Sequence, residues 1–208
     1  MPQFDLWVGG SDADEVWERL PTLPESRSDW RTSVYQAMEL NNQTEENIMG
    51  AKGEALAKRF EAKAEEAAAV LEKLSEADWK KVTEAEKWSV GVTAHHLAGS
   101  YERVPDIATG LAAGQSFGNF TRKILDERNA QHAKDFAGCT KEETLALHRK
   151  GAAKAASVVR GFSDEQLEKR GVLFTDAPPM TVEQLIMGAL INHTDEHYGS
   201  IRKTVGKQ

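Results

Sequence analysis

The chain is short of cysteine, of basic charge and of long apolar runs, and each shortage removes a class of function. Cys139 is the only cysteine in 208 residues, so no internal disulfide can form and the disulfide-stapled secreted scaffolds are excluded. A reducing compartment, the cytoplasm, is the expected setting. No stretch approaches the roughly 20 apolar residues that a spanning helix needs. The opening run MPQFDLWVGG has neither the basic n-region nor the long apolar h-region of a secretory leader, so no membrane partner is expected. Acidic residues number 33 against 26 Lys and Arg, a formal net charge of -7. Attraction to a phosphate backbone needs the opposite sign, and no nucleic-acid partner is expected either. Strand-like alternation is also scarce, the best candidate being Gly171-Val172-Leu173-Phe174-Thr175.

What is present is helix-forming. The chain is 40% hydrophobic and 28% charged, with a mean hydropathy of -0.54, the balance of one ordinary globular domain with room for an appendage. From Thr44 to about Ser75, apolar residues recur in steps of three and four through Met49, Leu56, Phe60, Ala64, Ala67 and Leu71. A second amphipathic run opens at Ser89, a good N-cap, and ends at Gly114, with Pro105 expected to kink or shorten it. Thr140 and Glu143 make a capping box for a third helix ending at Gly161, and Thr181 and Gln184 make one for a fourth that runs to about Lys203. The expectation is an all-α four-helix bundle over residues 44–208, with a long crossover between helices 2 and 3 across Gln115 to Cys139. Residues 1–43 carry Trp7, Trp17 and Trp30 and form an N-terminal extension, expected to be helical near 12–20 and 29–40 and packed on the bundle, since exposed tryptophans would cost solubility.

Histidines carry the chemistry. His193 and His197 are four residues apart and so stack on one helix face, in the stripe of Val182, Ile186 and Ala189. A single inward histidine is usually a core residue. Two on one inward face each need partners for their ring nitrogens, and a shared metal ion supplies one for each. A catalytic metal site needs a third ligand and an open position. On the second helix His96 lies roughly 110° from the middle of the apolar stripe and His95 roughly 150°, which selects His96 and turns His95 to solvent. Three imidazoles suit zinc, nickel, iron(II) or cobalt, and zinc or nickel best. His148 lies on the inward stripe of the third helix, as a fourth ligand, a proton shuttle or, most commonly, a plain buried histidine. Glu196, roughly 60° from His193, is a candidate to move a proton at the pocket edge, Asp195 reads as surface acid, and His132 has no derivable placement. Cys139 precedes the Thr140 cap, where peptide groups can lower a thiol pKa, although an incidental cysteine is the commoner case.

Trp88-Ser89-Val90 followed by His96-Leu97, then Ser163-Asp-Glu-Gln-Leu167, Thr181-Val-Glu-Gln-Leu185 and His193-Thr-Asp-Glu-His197-Tyr-Gly-Ser-Ile together resemble the DinB-like (DinB/YfiT-type) metalloenzyme superfamily over roughly residues 44 to 204. The resemblance implies a four-helix bundle holding a divalent transition metal through His96, His193 and His197. It also implies chemistry of the kind performed by mycothiol-dependent maleylpyruvate isomerase and the bacillithiol transferases, in which a thiolate on the metal is the nucleophile. The isomerase branch has glutamate where this chain has His193, and the sulfoxide synthases of the ergothioneine pathway have His-x-x-x-His-x-Glu where Gly199 stands here. Two functions follow. One is a metal-dependent S-transferase or hydrolase whose ion activates water or a low-molecular-weight thiol for a small-molecule substrate, with His148 or Glu196 moving a proton. The other is a non-catalytic bundle that binds a metal or small ligand, or a stress-related interaction protein. A homodimer is expected in either case. With no cysteine among the ligands, sulfur at the metal arrives with a cosubstrate.

Overall fold

A computed structural model describes residues 50–206. The tryptophan-rich extension at 1–43 with its two short helices, and the first residues of the helix expected from Thr44, lie outside the described residues. Within them the fold is helical. Helix α1 (Ala51–Glu72) buries Leu56, Phe60, Ala64, Ala67 and Leu71 along one stripe. A single capped turn, α2 (Glu76–Trp79), follows. Helix α3 (Val90–Ala112) starts at Ser89, whose hydroxyl accepts from the Val92 amide. It runs through Pro105 without ending there: the missing N–H removes only the bond to the Tyr101 carbonyl, and Val104 and Pro105 are both buried in compensation. Gly114, at φ 73°, closes it.

The long connection carries a helix of its own, α4 (Arg122–Asp135), capped by Thr121 and without a fully buried residue. The sequence reading places a crossover here without assigning it a helix, and α4 has no stripe of buried residues to mark one. Helix α5 (Lys141–Arg160) has the expected Thr140–Glu143 box, and α6 (Asp164–Glu168) is a short turn capped by Ser163 and Gln166. The strand-like segment at 171–175 reduces to a two-residue ladder, β1 (Arg170–Gly171) against β2 (Met180–Thr181), antiparallel with Arg170 opposite Thr181. Leu173 turns into the core.

The last rod is composite: α7 (Val182–Ile186), capped by the Thr181–Gln184 box, a π-helical segment (Met187–Asn192), and α8 (His193–Val205). The wider i→i+5 turns of the π segment shift the helical phase. An unbroken α-helix would continue the stripe of Val182 and Ile186 onto His193 and His197. Instead the buried positions become Leu190, Ile191, Thr194, Tyr198 and Ile201, about one residue later. The core takes Thr194 and Tyr198, and the two histidines move to its flank.

Helix α3 packs most extensively on α5, and α5 on α1, while α8 lies against α3 and α1. The close approach of α1 to the end of α5 depends on Gly53, where a Cβ would lie 2.7 Å from the Phe162 carbonyl oxygen. At the centre, Tyr101 is fully buried, meets Phe60 edge-on at 4.9 Å and shares a 3.0 Å hydrogen bond with the Thr194 hydroxyl. Burying a side chain such as Phe60 or Leu97 contributes roughly 1.5–3 kcal/mol. Among the described residues no helix is long and apolar enough to cross a membrane.

Candidate metal centre

Three imidazoles converge where α3 passes the start of α8. His193 Nε2 lies 3.3 Å from His96 Nε2 and 2.9 Å from His197 Nε2, and one ring nitrogen from each of the three falls within 4.8 Å of the others. Metal–nitrogen bonds of about 2.0–2.1 Å with ligand angles between about 90° and 110° place ligand nitrogens roughly 2.9–3.4 Å apart. Both short separations fit that range. Burial, reinforced by the neighbouring histidines, lowers the His96 pKa to about 2 and that of His193 to about 3, so both rings stay neutral, the form with a lone pair to donate. Their Nδ1 atoms are buried without a protein partner.

The third ring has a carboxylate behind it. His197 Nδ1 donates to Glu86 Oε1 at 2.8 Å, and the Ser200 hydroxyl donates to Glu86 Oε2 at 2.7 Å. Burial pushes the Glu86 pKa up, but the hydrogen bonds from Ser200, His197 and Thr83 outweigh it and hold the group below the ordinary glutamate value. An ionised Glu86 fixes the proton of His197 on Nδ1 and leaves the Nε2 lone pair facing His96 and His193. This is the carboxylate–histidine pairing that accompanies metal sites. Three lone pairs aimed at one point repel one another. A proton on one of the nitrogens satisfies part of the set, whereas a cation satisfies all three.

Glu86 was not among the sequence candidates. It belongs to the turn between α2 and α3, where the Thr83 amide donates to the Trp88 carbonyl at 2.8 Å and Lys87 takes a left-handed φ of 61°, so no helical periodicity points to it. The carboxylate proposed from spacing, Glu196, lies elsewhere. Glu196 is exposed, on a surface depression with Glu84, Ser200 and Lys203, and Asp195 pairs with Lys63 at 2.8 Å.

His96 and His193 also form the floor of a cavity of about 380 Å³ between α3, α4 and the last rod. One face of α3 supplies His96, Ser100, Arg103 and Ile107, one face of α4 supplies Leu125, Arg128, Asn129 and His132, and the last rod supplies Leu185, Ala189 and His193. The steps of four in the last set follow the π segment. His132 thereby acquires a place that the sequence did not reveal: its ring centroid is 5.4 Å from that of His96, and burial lowers its pKa to about 4. His95 is not turned to solvent as the helical wheel suggested. It is half-buried, stacks on Phe136 at 3.9 Å and has its Nδ1 3.3 Å from His132 Nε2, because α4 covers a face that the sequence left open.

His148 stays apart from this cluster. It is buried between α5 and α1, where its Nε2–H donates to the Ala64 carbonyl at 2.9 Å and its ring meets Tyr101 edge-on. Neither it nor Glu196 lines the cavity. Cys139 is half-buried, and burial pushes its thiol pKa up rather than down.

No curated protein and no solved structure matches the chain. The model of one family, the DinB superfamily, matches residues 59–201, a span that runs from α1 to Ile201 in α8 and takes in all three converging histidines. By that match over more than half its length, the chain belongs to the DinB superfamily.

Proposed function

We propose that the protein is a metal-dependent enzyme acting on a small molecule, with His96, His193 and His197 as ligands of one divalent transition ion. The observation that carries this reading is the convergence of the three Nε2 atoms at one end of a largely apolar cavity, which leaves the side opposite the protein ligands open to a substrate. An ion held there brings the pKa of a water or a low-molecular-weight thiol in its open position toward neutrality. The chain's own residues supply the remainder. Glu86 holds His197 in the ligating tautomer, the π segment moves His193 and His197 to the flank of the core with His193 on the cavity, and Ile107, Leu173 and Leu185 make the cavity walls apolar. Neither His148 nor Glu196 is placed to exchange a proton with this cavity, so the reading gives them no part in it.

Metal analysis of protein purified without a histidine tag tests the assignment. About one zinc, nickel, iron or cobalt per chain is expected, with occupancy lost in His197→Ala. No stoichiometric metal, or unchanged occupancy in that variant, would overturn it.

One observation favours a second reading. His132 stands beside His96, and as a fourth protein ligand it would close the site and leave a metal-binding module without catalysis. Cobalt-substituted protein separates the two, since a closed site shows no exchangeable water ligand and His132→Ala would then change its absorption spectrum.

A further inference from the structure

The walls of the cavity above the histidines combine cationic and apolar character. Its cationic groups are Arg103 and Arg128, and none of its lining residues is a carboxylate, although the whole chain carries a net charge of -7. Arg103 is solvent-accessible and has no ion pair among the described residues. Its chain neighbour Glu102 is taken by Lys150 at 3.1 Å. Arg128 lies with its guanidinium 4.9 Å from the centre of the Phe120 ring, Phe120 stacks on Phe174 at 5.3 Å, and Arg122 closes the column 5.4 Å from Phe174. These guanidinium groups sit on rings, not on acids, which leaves the in-plane N–H donors of Arg128 unspent. His96, Ser100, Arg103 and Ile107 share one face of α3, and the Arg103 guanidinium lies back along that helix against Gly99, one turn from His96.

A volume of about 380 Å³ is at the small end for a ligand pocket. A guanidinium fork matches a carboxylate in shape as well as charge. From these features we infer that the cavity takes a small carboxylic acid with an apolar body, its carboxylate on Arg103 with Arg128 beside it and its other end at the three histidines. The inference deepens the enzyme reading of the same cavity and rests on it for the role of the far end, but binding of the acid does not require the metal. Arg103 is a binding residue in this scheme.

Calorimetric titration of the full chain with 4-phenylbutyrate and with its neutral counterpart 4-phenylbutanamide tests the inference, once with its metal and once after chelation. The chelated arm removes any carboxylate–metal contact. The acid should bind at least about ten-fold more tightly than the amide in both arms. Arg103→Met should abolish most of that preference with an unchanged far-ultraviolet circular dichroism spectrum, and Arg103→Lys, which keeps charge without the fork, should retain part of it. Arg128→Met provides an independent second variant and should also weaken the preference. Equal binding of acid and amide, no detectable binding of the acid at millimolar concentration, or an unchanged preference in both methionine variants would overturn it. Metal content is read separately: a chain that is purified without metal, takes none up on titration and still prefers the acid overturns the metal assignment alone, whereas a metal-loaded chain without the preference overturns this inference alone.

Discussion

Glu86 acts on the candidate centre through His197, and that indirect role makes it separable from the ligands. Glu86→Gln keeps the shape of the side chain and removes the charge that fixes the His197 tautomer, so metal affinity should fall about 10–100-fold. Competition against a chelating dye measures this, and an unchanged affinity would mean that Glu86 only anchors its turn to Ser200. His148 predicts a pH effect on stability instead. Burial holds its pKa below the ordinary histidine value, with the Ala64 contact opposing and Arg149 adding to the depression. The unfolded chain therefore takes up a proton near pH 6.5 while the folded one does not, and stability falls as pH drops below that value. Urea unfolding of metal-free protein between pH 7 and pH 5 should show a shallower loss in His148→Gln, by up to about 1.4 kcal/mol per pH unit. Legibility at this scale was uneven. His96, selected over His95 by its angle on one helix, is the ring that stands 3.3 Å from His193, since such an angle is a local property. Arg103, seven residues beyond His96 on the same face, was equally accessible to that reasoning, but nothing in one helix shows that its partner face is a cavity.

At the scale of elements, helix starts were legible and helix interiors less so. The boxes at Thr140–Glu143 and Thr181–Gln184 and the cap at Ser89 all form as their side chains dictate, since capping involves atoms three residues apart. The π segment at Met187–Asn192 was not legible. It lets Leu190, Ile191, Thr194, Tyr198 and Ile201 all reach the core, a gain that depends on the neighbours they meet there. Two glycines in different surroundings give a paired prediction. Gly53→Ala places a Cβ against backbone carbonyl oxygens at 2.7 and 2.9 Å and should destabilise the protein by about 1–3 kcal/mol, as α1 is forced off α5. Gly188→Ala meets nothing within 4 Å and should be neutral or stabilising by up to about 1 kcal/mol through helix propensity. Equilibrium denaturation of both variants checks the contrast, and an equal cost at the two sites would refute the close approach of α1 and α5.

For the whole molecule, the three histidines join α3 to the last rod, so a bound ion couples two parts of the fold that are about 100 residues apart in the chain. Binding to the folded state alone stabilises it by mass action, about 4 kcal/mol when free metal exceeds its dissociation constant a thousand-fold. Chelation should therefore lower the Tm of the wild-type chain, and readdition should restore it, while His197→Ala should show neither change in a thermal melt. The helical class, the capped starts, the long connection and the identity of the three converging histidines were all present in the sequence. Each rests on periodicity or spacing within one helix, or on the resemblance that joins the pieces. Only the tertiary structure brought Glu86 behind His197, laid α4 over His95 and His132, and set Arg103 and Arg128 around a shared cavity. It also placed His148 and Glu196 outside that cavity. These are relations between segments far apart in the chain, and they are decided by which faces pack together, a property no single element carries.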